Sequence, residues 1–175
     1  MVARPHLTTL YTTKAVIILD SEGKRILAKY YQAEYPTLKE QRVFEKSLFD
    51  KTKKTNSEII LFDNQIVVYK NSIDLLIYVL GSAEENELIL SHLLNSFYET
   101  LSILLKGLVE KRTILENYDL VALALDETVD GGIILESEPS ITASRVTKKN
   151  ETEAEPSLSQ MFQKAQEQVA RSLLH

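Results

Sequence analysis

A chain of 175 residues is long enough to bury one core and too short for two ordinary domains with a linker between them. Its net charge of -5 provides no basic field for non-specific nucleic-acid binding, so no nucleic-acid partner is expected. The lack of cysteine removes disulfides, thiolate metal sites and cysteine nucleophiles, and no apolar run approaches the roughly 20 residues that span a bilayer. Met1 to His6 has no apolar core of the kind a signal peptide carries, so the expected compartment is cytoplasmic.

Ala15 to Leu19 is apolar at odd and even positions alike, which predicts a strand covered on both faces. Asp20 to Gly23 ends it with a turn in which the glycine can take a positive φ. Arg25 to Tyr31 places Arg25 and Lys29 on one parity and Ile26, Ala28 and Tyr30 on the other, the pattern of an edge strand with one partly wet face. Thr37 and Glu40 then form a capping-box pattern that starts a helix, with Val43, Phe44 and Leu48 as its expected buried side. Lys51, Lys53 and Lys54 close it, where cations complement the helix dipole.

From Glu58 to Leu80 three short apolar runs are separated by Asp63-Asn64 and by Asn71-Ser72, which reads as a three-stranded meander. Its last run, Leu75 to Leu80, lacks alternation, so it belongs in the middle of a sheet with helices above and below. Ser82 with Glu85 repeats the capping-box pattern ahead of a long helix carrying Leu90, Leu94, Phe97, Leu101 and Leu104 at helical spacing. Leu88, Ile89, Leu93, Tyr98 and Leu105 widen that stripe, so this helix is expected to cross the sheet and also to touch another helix or a partner chain.

Val121 to Leu125 fits strand alternation and helical spacing alike; Gly131-Gly132, able to supply a left-handed closing residue, favours helix. Glu136 to Pro156 is rich in Glu, Ser, Thr and Lys and reads as a flexible polar linker. Ser157 to Leu174 reverses this, with Leu158, Met161, Phe162, Ala165, Val169 and Leu173 on one helical face, an amphipathic helix suited to a protein groove. The expected organisation is a folded domain over residues 1–135, a linker over 136–156 and a C-terminal helix over 157–175.

Catalytic chemistry finds little support. His6, His92 and His175 are scattered without metal-ligand spacing, and no phosphate-binding glycine loop exists. Asp126, Glu127 and Asp130 cluster, and paired carboxylates can hold a hard cation or move protons, but no His, Lys or nucleophile stands beside them in sequence. A surface helix end is the simpler reading. Lys51, Lys53 and Lys54 could touch anionic lipid at about 1 kcal/mol each, which alone would hold a protein there only weakly, and a solvated helix end is the simpler reading. No catalytic, metal or cofactor site is expected, and hence no enzyme.

Several stretches carry a family likeness: Tyr35-Pro36, Lys39-Glu40-Gln41, Phe44-Glu45-Lys46, Val68-Tyr69-Lys70, Ser72-Ile73-Asp74, Glu85-Asn86-Glu87, Val109 to Arg112 and, above all, Asp126 to Glu136. With the order of elements, they resemble the longin-like small chains of vesicle coats, the family of the clathrin-adaptor sigma chains, and within it the zeta chains of coatomer. The likeness runs from Leu10 to Glu136 and fades beyond.

The resemblance implies an α+β, longin-like fold: a five-stranded, mainly antiparallel sheet flanked by helices on both faces, with the first and fifth strands central and Leu120 to Asp130 helical. It implies a non-catalytic structural subunit of the COPI coat that binds and stabilises the trunk of the gamma subunit, a large solenoid chain, and through it the other coatomer subunits. An Arf-type GTPase would act indirectly, by recruiting the coat. The setting would be the cytosolic face of the Golgi membrane and of COPI vesicles, in retrograde Golgi-to-ER and intra-Golgi transport.

On this reading partner contacts fall at Ile59 and Leu61, at Ile89, Leu93 and Tyr98, and at Leu158, Phe162, Val169 and Leu173 of the tail. Some sigma chains help to bind acidic dileucine signals, but no motif here carries that pocket over. The competing reading is a longin module that acts alone to regulate a small GTPase or a membrane tether; an enzyme built on Asp126, Glu127 and Asp130 ranks far below both.

Overall fold

The computed structural model describes residues 12–53 and 58–153. Strand β1 (Thr13–Asp20) turns into β2 (Arg25–Tyr30), and helix α1 (Leu38–Thr52) leads to a meander of β3 (Ile59–Phe62), β4 (Gln65–Ser72) and β5 (Leu75–Ser82). Helices α2 (Glu87–Leu104), α3 (Lys111–Glu116) and α4 (Tyr118–Thr128) follow, then a small hairpin of β6 (Val129–Asp130) and β7 (Ile133–Ile134), and helix α5 (Pro139–Glu153).

The main sheet has the order β2-β1-β5-β4-β3 and every pairing is antiparallel. The two runs without alternation, β1 and β5, are therefore interior neighbours, as their two-sided apolarity requires. Side chains alternate across the pleat. Ala15, Ile17, Leu19, Tyr78 and Leu80 pack against Phe44 and Leu48 of α1. Val16, Ile18, Ile77 and Val79 face α2, α4 and α5, which contribute Leu90, Phe97, Leu101, Val121, Leu125 and Val146. Among the described residues the sheet thus has α1 on one face and α2, α4 and α5 on the other, where Ile114 of α3 joins the same cluster.

Local chemistry fixes the connections. Asp63 and Asn64 both have positive φ, 50° and 57°, as a two-residue turn between paired Phe62 and Gln65 requires. At the β1–β2 turn, Asp20 Oδ1 accepts the backbone N–H groups of Glu22 at 2.9 Å and Lys24 at 2.8 Å. Burial pushes the Asp20 carboxyl up, but the Lys111 ammonium, 2.8 Å from Oδ2, and those N–H donors outweigh burial and hold it below its ordinary range. The capping box of α1 forms in full, with Glu40 N donating to Thr37 Oγ1 and Thr37 N to Glu40 Oε2.

Five expectations about the elements differ from the fold. The second meander turn is Ile73-Asp74 rather than Asn71-Ser72, because β4 keeps pairing to Ser72 opposite Leu75. Helix α2 is capped by Asn86, whose side chain accepts from Leu88 N, while Ser82 ends β5 instead of opening a capping box. Gly131 and Gly132 do not close α4, which ends at Thr128 with Val129 extended; both have positive φ and form the turn of the β6–β7 hairpin. Val43 is 61% exposed, outside the buried side of α1.

The fifth correction concerns residues 139–153, which form α5 rather than a flexible linker. Pro139 occupies the first helical position, where its missing N–H costs nothing. Thr142, Ala143 and Val146, spaced by helical turns, are buried against α2 and α4. Ion pairs from Arg145 to Glu136 and from Lys149 to Glu127 secure the polar flank. So short an apolar stripe is easily lost in a polar composition. The expected C-terminal helix, 157–175, lies outside the described residues.

Candidate partner interface

Among the described strands β3 neighbours β4 alone and so forms one edge of the sheet. Its alternation places Ile60 and Phe62 in the cluster under α1 and turns Ile59 and Leu61 to the opposite face, where α2 lies. There Ile59 is 41% and Leu61 67% exposed, opposite Val68 and Ile66 of β4. Leu88, in the first turn of α2, is also exposed. Exposed aliphatic side chains on an edge strand form a surface suited to protein contact.

The α2 residues named from sequence separate. Ile89 is half-buried near the start of the helix and remains at the surface. Leu93 is 1% exposed and belongs to the core with Val79 and Phe97; its expected place at an interface is corrected by its direction into the sheet. Tyr98 is partly buried, with its OH 3.3 Å from Ser72 Oγ and its ring 4.7 Å from Lys70 Nζ, so it joins α2 to β4. Leu158, Phe162, Val169 and Leu173 lie outside the described residues.

The acidic cluster does not assemble into a site. Asp126 pairs with Lys29 of β2 and Glu127 with Lys149 of α5, while Asp130 stands exposed in the small hairpin. Among the described residues no group of His, Asp and Glu could hold a metal ion. Lys53 pairs with Asp50 and lies 5.3 Å from the Phe49 ring centroid, consistent with a helix-end role.

A further surface forms beside α1. Tyr35, Phe44 and Phe62 lie in a row, with centroids 4.4 Å apart for the first pair and 5.7 Å for the second. They floor an open groove of about 650 Å3 between the start of α1 and the β3–β4 turn. Tyr35 OH donates to Asp63 Oδ2 at 2.6 Å and accepts from Gln65 Nε2 at 2.9 Å. Burial first, then the Asp63 carboxylate, pushes its phenol above the usual range, so it stays protonated as a donor. Val43, expected on the buried side of α1, instead lines this groove, and its spacing in sequence carries no signal for that.

Known proteins are similar to this chain in sequence along most of its length and in fold. A family model described as the clathrin adaptor complex small chain matches residues 12–153, which include α5. Coatomer subunit zeta-1 of Homo sapiens is 51% identical over 168 residues, covering 95% of each chain. Coatomer subunit zeta-1 of Oryza sativa subsp. japonica is 46% identical over 171 residues, covering 93% of this chain and 97% of the relative. In structure, a chain of a homology model of the full-length AP-3 complex in a stretched open conformation matches with a TM-score of 0.64 at 19% identity, over 80% of this chain and 94% of that one, a likeness of fold. No described helix is long and apolar enough to cross a membrane. The chain belongs to the clathrin adaptor complex small chain family and is similar to its coatomer zeta members.

Proposed function

We propose that this chain is a non-catalytic structural subunit of a COPI-type vesicle coat. The observation that carries the reading is 51% identity to a coatomer zeta subunit over 95% of both chains. The chain binds the trunk of the coatomer gamma subunit and keeps that large chain assembled, and through it meets the remaining coatomer subunits. An Arf-type GTPase brings the assembled coat to the cytosolic face of the Golgi membrane, where it serves retrograde Golgi-to-ER and intra-Golgi transport. Ile59, Leu61 and the exposed start of α2 form the gamma contact, and the tail residues Leu158, Phe162, Val169 and Leu173 supply a second attachment. An obligate contact of this kind buries more than about 2,000 Å2.

Co-expression tests this directly. The chain and a gamma trunk should co-purify as a one-to-one complex through size exclusion, and gamma made alone should be poorly soluble. A monomeric chain that leaves gamma fully soluble and unbound would end the proposal.

A further inference from the structure

The groove floored by Tyr35, Phe44 and Phe62 lies on the α1 face of the sheet, whereas Ile59 and Leu61 turn to the α2 face. Its aromatic floor is bordered by two carboxylates, Glu40 and Asp63. Among the described residues Glu40 accepts only from its own capping box and Asp63 from the Tyr35 hydroxyl; neither is paired with a lysine or arginine. Lys39 also borders the groove, and two carboxylates against one ammonium leave the lining negative. Val43 adds an exposed aliphatic wall.

Aromatic ring faces attract cations through their quadrupole, and unpaired carboxylates strengthen that attraction where the floor is partly dry. A volume of about 650 Å3 is enough for a few side chains of an extended peptide. We propose that this groove binds an extended peptide segment of a protein partner that carries an arginine or lysine beside a large aliphatic residue. The cation lies over the aromatic row between Glu40 and Asp63, and the aliphatic side chain packs on Val43. The groove shares β3 with the proposed gamma contact through Phe62, but it opens on the opposite face of the sheet from Ile59 and Leu61.

The test is an NMR titration of the full chain with an acetylated, amidated hexapeptide Gly-Ser-Arg-Leu-Ser-Gly, and with the same peptide carrying Glu in place of Arg. The arginine peptide should shift resonances of Val43, Phe44, Phe62 and Asp63, and the Glu peptide should bind at least roughly tenfold more weakly. The double variant Glu40→Gln with Asp63→Asn should weaken the arginine peptide roughly three- to tenfold. Gln preserves the capping box and Asn tolerates the positive φ at position 63, so the fold is kept. Equal binding of the two peptides, an unaffected double variant or shifts confined to another surface would each overturn the proposal. So would contacts to the groove, in the protein without peptide, from its own first eleven residues or from a second copy.

Discussion

Asp20 shows how one side chain can join three elements. It ends β1, organises the β1–β2 turn through two backbone N–H groups, and receives Lys111 at the start of α3. Its carboxyl is held below the ordinary 3.8, so its contribution to stability is complete well above that pH and is lost as pH falls below 3.8 through the lowered folded-state value. Asp20→Asn should cost about 1.5–3 kcal/mol in urea unfolding near neutral pH, and the acid-side fall in stability should become shallower than in the wild type. Glycine gives a second contrast at this scale. A Cβ at Gly131 meets nothing within 4 Å, whereas one at Gly132 would sit 2.6 Å from the Thr13 carbonyl oxygen, and both residues have positive φ. Gly131→Ala should cost about 1 kcal/mol and Gly132→Ala at least roughly 2, a ranking that thermal melts can check.

Helix α5 marks the limit of what element-scale patterns can reveal. The strands were legible because apolar runs such as Ile77 to Leu80 have no other stable place than a covered sheet interior, and α1 because its capping box is local chemistry. Helix α5 has Ala143 and Val146 as its buried aliphatic residues, so its formation depends on the faces of α2 and α4, which lie far away in sequence. The same reason hid the aromatic groove, since Tyr35, Phe44 and Phe62 meet only after α1 has docked on β3 and β4. Three threonines and an asparagine further weaken the intrinsic helix preference of α5. It should therefore open before the sheet does: in native-state hydrogen exchange, amides of α5 should exchange at least roughly tenfold faster than those of α2 and β5. Val146→Asp should release α5 almost fully and leave β5 protected, because a carboxylate without a partner would replace a buried aliphatic contact.

At the scale of the molecule, burial separates residues that hold the fold from those left to meet a partner. Both Leu61 and Leu93 read as interface candidates in sequence, Leu61 because it lies on an expected edge strand and Leu93 because it widens the apolar stripe of the long helix. The fold sends Leu93 into the core and leaves Leu61 exposed on an edge strand. Leu93→Ala should therefore lower stability by about 2–5 kcal/mol through the cavity it creates, with any loss of complex following from unfolding. Leu61→Asp removes no core contact and adds a charge that opposes edge pairing, so its effect on the isolated chain should stay within about 0.5 kcal/mol. In co-expression with the gamma trunk, Leu61→Asp should sharply reduce the recovered complex while the melting temperature of the chain alone stays put. If both variants lose complex only in proportion to lost stability, the β3 edge is not the contact, and the large chain must hold this fold by another face.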